Sequence, residues 1–70
     1  MITTSLSPAG RALRHSPIPA LRKLEVEETD AEIVLTGTVG SFYLKQLAQE
    51  TILPLLGQRG LVNRVRVHRE

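Results

Sequence analysis

The sequence contains no cysteine. A disulfide framework and a cysteine-ligated zinc site are therefore excluded, and stability must come from packing. No apolar run is longer than a few residues, whereas a membrane-spanning helix needs about 20. The opening Met-Ile-Thr-Thr-Ser-Leu-Ser-Pro has neither the basic segment nor the apolar stretch of a secretory signal, which as encoded points to the cytoplasm. Ser5, Ser7, Ser16 and Ser41 lie in no nucleophile motif such as G-x-S-x-G. His15 and His68 are far apart and lack the carboxylate or cysteine company of a metal or catalytic centre. The sequence thus argues against an enzyme and calls for no cofactor and no metal.

Seventy residues allow one domain with one small core, near the size at which a chain folds alone only if most of its apolar surface is used. The net charge is only +2, but its distribution is zoned. Arg11, Arg14, Arg22 and Lys23 lie in the first third, and Arg59, Arg64, Arg66 and Arg69 lie at the end. Five of the seven acids, Glu25, Glu27, Glu28, Asp30 and Glu32, sit between them. Such zoning serves either pairing within the fold or the steering of a charged partner.

Residues 1–7 read as a flexible N-terminal tail, and residues 8–68 as the domain. Ser7-Pro8 offers an N-cap followed by proline at the first helical position, and a short helix to about His15 follows with Ala9, Ala12 and Leu13 on one stripe. Pro17 and Pro19 end it. Ile18 and Leu21 are expected as buried anchors on a further turn. Leu24 and Val26 alternate with Lys23, Glu25 and Glu27 as a half-buried strand, and Thr29-Asp30-Ala31 turns the chain into a second strand, Glu32 to Val39. Gly37 falls on that strand's inward face, which predicts a helix backbone passing close, with Ala48 opposite.

Ser41 is the expected N-cap of a second helix whose inward face carries Leu44, Leu47, Ala48, Thr51, Ile52 and Leu55. Pro54 lies in its last turn and Gly57 just beyond it. Leu61, Asn63, Val65 and Val67 then return to period-2 alternation, with Asn63 expected at the rim or capping a backbone group. The assembled order is αββαβ. It predicts an α+β two-layer sandwich, a three-stranded sheet with two helices packed on one face and the other face open. Were the first and third strands neighbours, Glu25 and Glu27 would face Arg64 and Arg66.

Leu24-Glu25-Val26, the run Ile33-Val34-Leu35-Thr36-Gly37-Thr38-Val39, the helix opened by Ser41 with Lys45 and Ala48, and the closing Val62-Asn63-Arg64-Val65-Arg66-Val67 together resemble the BON domain. This is a small bacterial module named for osmotic-stress and nodulation proteins. The resemblance spans about residues 9 to 68. It implies a non-catalytic αββαβ domain of envelope, channel and stress-response proteins that binds phospholipid membranes or other envelope components. It makes Gly37 the fold's marker glycine and the helix from Ser41 a candidate binding element. A signal sequence or second copy, common in that family, is absent from this chain, and Pro17, Pro19 and Pro54 depart from its usual helix ends.

Two surfaces are candidates for contact. Phe42 and Leu53 point away from the inward face of the second helix; with Tyr43 and Lys45 they would dip into a lipid headgroup region or bury in a partner, unless Phe42 folds back as a lid on the core. Arg11, Arg14, Arg22 and Lys23 form a candidate basic patch for an anionic lipid surface or nucleic acid, unless they are simply a solvated face. The first reading is therefore a binding module for anionic phospholipid or envelope proteins. The alternative is a protein-interaction or weak homo-oligomerisation module. Nucleic acid, met by the terminal arginines Arg59, Arg64, Arg66 and Arg69, is a lesser candidate: Gly57-Gln58-Arg59-Gly60 has GxxG spacing but joins a helix to a strand, and the open sheet face carries Thr and charges where stacking aromatics belong.

Overall fold

The computed structural model describes residues 7–68 and shows a mixed α/β fold built around a three-stranded sheet. The expected tail is therefore outside the described residues except for Ser7, which belongs to the first helix as its cap. Ser7 Oγ accepts from the Gly10 N–H at 3.0 Å, and Pro8 opens α1 (Pro8–Arg14), as the sequence predicts. A single further turn, α2 (Pro19–Arg22), carries Leu21 into the core. The chain then enters β1 (Glu25–Glu28).

The β1–β2 turn has no Asn-Gly because Thr29 supplies what such a turn needs. Its hydroxyl accepts from the N–H groups of Ala31 and Glu32, while its own N–H donates to the Glu32 carbonyl at 2.8 Å. The second strand is not the continuous ribbon predicted for Glu32 to Val39. It divides at Gly37 into β2 (Glu32–Thr36) and β3 (Thr38–Val39). Gly37 has φ +133°, a region that side-chain-bearing residues rarely adopt. Its carbonyl still accepts from the Arg66 N–H at 2.8 Å, so pairing survives the kink.

The close approach at Gly37 differs from the one expected. A Cβ there would lie 2.5 Å from Leu24 Cδ2 and 3.4 Å from Leu24 Cα; the neighbour is the start of β1, not a helix backbone near Ala48. Leu24 is itself buried, so its side chain has little room to give way.

Ser41 caps α3 (Phe42–Ile52) by accepting from the Leu44 N–H at 3.2 Å. A 3₁₀ turn over Leu53–Leu55 absorbs Pro54, and Gly57 follows with φ +64°, the left-handed position that ends a helix. The last strand is also divided, into β4 (Gly60–Asn63) and β5 (Arg66–Val67). Here Asn63 makes the break: Oδ1 accepts from the Val65 N–H at 3.1 Å, and Nδ2 donates to the Lys45 carbonyl and Gln49 Oε1, each at 3.3 Å. The inward amide is thus satisfied on both sides.

Strand order is β1-β2-β4, with β1 antiparallel and β4 parallel to the central β2, and β3 pairs β5 in parallel beyond the kink. The first and third strands are therefore not neighbours. Glu25 and Glu27 cannot face Arg64 and Arg66, because β2 lies between them. Ile33, Leu35, Val39 and Val65 from the sheet share one buried cluster with Leu13, Leu21, Ala48 and Ile52 from the helices. On the alternate parity, Glu25, Glu27, Thr36, Thr38, Arg64 and Arg66 are exposed.

Candidate functional site

Connectivity gives the molecule two unlike ends. β2 and β3 run from the hairpin toward Gly40, so α3 starts at the far end and descends to the hairpin end, where Gly60 N–H meets the Ala31 carbonyl at 3.0 Å. α1 starts beside Glu28 at the hairpin end and must climb, because α2 leads directly into the top of β1. The hairpin end thus gathers Glu28, Asp30, Glu32 and the α3–β4 loop. The far end gathers Arg14, Arg22, Lys23, Phe42, Tyr43, Lys45 and Arg66.

At the hairpin end, one ion pair joins three elements. Glu28 Oε1 accepts from Arg59 at 2.7 Å, and Glu28 Oε2 accepts from the Ala9 N–H at 3.1 Å, supplying a partner to the free amino end of α1. Arg59 in turn donates from Nε to the Leu56 carbonyl and from its terminal nitrogen to the Leu55 carbonyl, which closes the end of the α3 segment. The two side chains are 15% and 26% exposed, so the pair is largely sheltered from water. Burial pushes the Glu28 pKa up. The Arg59 hydrogen bond, those of the Ala9 N–H and Ser7, and the Arg59 charge outweigh it and hold the carboxyl below its ordinary value.

This clasp is the feature that sequence reasoning missed. Its signal was present: Glu28 continues the inward parity of Leu24 and Val26, and an acid on an inward face needs a donor. It is the one salt bridge among the described residues, so the zoned charges of the sequence are for the most part not paired within the fold.

At the far end, the side chains are free. Phe42 is 67% exposed and Tyr43 69% exposed, which rules out the lid on the core for Phe42. Lys45 is half-buried in the same first turns of α3. Arg14, Arg22 and Lys23 are exposed, and Arg22 reaches only the Pro17 carbonyl, at 3.4 Å. Arg11 lies about one turn short of Arg14 on α1 and is likewise exposed.

Leu53, 46% exposed, is not part of this cluster. Eleven residues along α3 it returns to within about 20° of the Phe42 direction, but about 16 Å further down the axis. Gly37 is the joint between β2 and β3. Arg69, one of the arginines of the nucleic-acid alternative, lies outside the described residues, and Arg59 is engaged by Glu28.

Among the described residues no helix is long and apolar enough to cross a membrane, and no group of three or more His, Cys, Asp or Glu gathers in a metal-binding arrangement. The far end carries instead the exposed rings of Phe42 and Tyr43 and, on the elements that begin or end there, the exposed Arg14, Arg22 and Lys23. No family model matches the chain, and neither a curated protein nor a solved structure matches it.

Proposed function

We propose that the chain is a non-catalytic BON-like αββαβ module that contacts an anionic phospholipid surface through its far end. The reading rests on one observation above all. The chain's phenylalanine and its tyrosine, neighbours in sequence, are both exposed at the end of the fold where the segments carrying Arg14, Arg22, Lys23 and Lys45 begin or end. Burying neither ring in so small a core forgoes on the order of 1.5–3 kcal/mol of apolar stabilisation for Phe42 alone. Aromatic rings with flanking cations suit the headgroup boundary, where ring and polar tip meet different media.

Four cations near an anionic surface contribute about 1 kcal/mol each, which sums to roughly the free energy of millimolar affinity before any ring inserts. Co-sedimentation with vesicles of phosphatidylglycerol and phosphatidylcholine, against phosphatidylcholine alone, tests this across a salt series. Binding to the anionic vesicles that weakens with salt is the expected result. Equal binding to both vesicles, or to neither, refutes it.

A second reading has its own observation. Phe42 and Leu53 lie on one helical stripe three turns apart, a spacing that an end-on membrane contact leaves unused and that an envelope protein lying along α3 would cover. Leu53→Asp separates the two: it leaves vesicle binding unchanged under the first reading and abolishes partner capture under the second.

A further inference from the structure

Resting on the membrane reading above, we propose that the contact continues from the start of α3 onto the open face of the sheet, where Arg66 meets the anionic headgroups and Glu25 limits how far they reach. Strand register fixes the level of each charge on that face. Arg66 lies opposite Thr38 in the β3–β5 pair, with its N–H on the Gly37 carbonyl. The Arg64 N–H makes the same bond to the Leu35 carbonyl, which sets Arg64 opposite Thr36. Thr36 also pairs with Glu25, Val34 with Glu27 and Val62, and Glu32 with Gly60. The buried Ile33, Leu35, Val39 and Val65 alternate with these positions, so the charges lie on the side of the sheet turned away from the core.

Successive levels are about 7 Å apart, two residues of strand. From the far end downward, the face carries Arg66, then Arg64 with Glu25, then Glu27, then Glu32. Arg66 is exposed and takes no part in the one ion pair among the described residues. One level above it, the His68 N–H on the Val39 carbonyl sets His68 opposite Gly40. Gly40 is exposed, and a Cβ there would meet nothing within 4 Å. The chain runs from Thr38 through Gly40 to Phe42 in four residues, so this strip and the exposed rings adjoin at one end of the fold.

The order of the levels picks the occupant. A flat anionic surface approaching end first meets the cation before any acid of this face, whereas a partner lying along the strands would span the acids as well. At 0.1 M salt charges are screened over about 10 Å, so Glu25 stands within one screening length of the Arg66 level and Glu32 about two lengths away. Glu25 therefore opposes closer approach, and Glu32 does not.

Charge reversals at different levels test this by co-sedimentation with phosphatidylglycerol and phosphatidylcholine vesicles at 0.1 M salt, with circular dichroism to confirm folding. Arg66→Glu should weaken binding about 25-fold, and Arg64→Glu, the same change in charge one level lower, about fivefold. Glu25→Arg should strengthen binding about fivefold, and Glu32→Arg less than twofold. Equal effects of Arg66→Glu and Arg64→Glu, or of Glu25→Arg and Glu32→Arg, overturn the proposal and leave the membrane reading standing, because net charge and not level would then set the binding. A wild-type chain that binds anionic vesicles no better than neutral ones removes both.

Discussion

The two ends of this molecule use charge in opposite ways. At the hairpin end, Glu28 and Arg59 are sheltered, hydrogen-bonded and joined to the start of α1 and the close of α3. At the far end, Arg14, Arg22 and Lys23 are exposed, as are the rings of Phe42 and Tyr43. The sheet changes with them, from three strands below the kink to the β3–β5 pair above it. In so small a domain, the one ion pair among the described residues ties three elements together at the hairpin end, and the exposed cations of the far end make no such tie.

The sharpest way to break this division is at the joint. Gly37→Val forces a β-branched residue into φ +133° and drives a Cβ toward Leu24. Strain at such a position costs about 1–3 kcal/mol, and displacing a buried leucine adds to it. A loss of about 3 kcal/mol or more is expected in urea unfolding, a large share of what a chain of this length can have. A loss under about 1 kcal/mol would show that the kink is not required.

Next in size is the clasp. Arg59→Ala removes the partner of a sheltered carboxylate and leaves the Leu55 and Leu56 carbonyls without their side-chain donor, so about 2–3 kcal/mol is expected. The corresponding change at the free end, Arg14→Ala, is expected within about 0.5 kcal/mol of wild type. Equal effects from the two would erase the contrast between the ends.

The clasp also has a pH signature. The folded-state pKa of Glu28 lies below its ordinary value of 4.5, so its contribution is fully present above that value. It is lost as pH falls through the lower folded value. Glu28→Gln should be less stable than wild type near neutrality by on the order of 1 kcal/mol, and the two stability curves should converge below pH 4.5. Parallel curves across that range would mean that Glu28 is not held in its charged form by the fold.

Much of this scaffold was legible because its signals are local. Ser7-Pro8 and Ser41 are caps by chemistry, the prolines stop helices wherever they stand, and the inward parity of Ile33, Leu35, Val39 and Val65 was readable by counting in twos. The sheet breaks were not legible, since they depend on what lies across the strand: Leu24 against Gly37, and the α3 backbone against Asn63. Strand order was hidden for the same reason, because Thr29 makes β1 and β2 neighbours without saying on which side β4 arrives. Of the candidate site, the exposure of Leu53 followed from helical angle, whereas for Phe42 that angle left solvent and a lid on the core both open until its exposure was seen. That Leu53 belongs to a different end from Phe42 followed from the same spacing once the helix was seen to run the length of the sheet. The Glu28–Arg59 clasp was least legible, since Arg59 reaches back across 31 residues from a loop with no periodicity of its own.

The smallest expected change in stability comes from the pair that should matter most for contact. With Phe42 and Tyr43 each about two-thirds exposed, replacing both by serine removes little buried area, and the unfolding free energy should change by no more than about 0.5 kcal/mol. Vesicle binding should fall at least tenfold in the same variant, because two rings at the headgroup boundary supply what the cations alone cannot. Raising salt should then remove most of the remaining binding, since only the screened charge interaction is left. If instead the double variant unfolds, the rings belong to the core and the division between the ends fails. If it stays folded and binds vesicles like wild type, the free end is a solvated surface and the contact lies elsewhere.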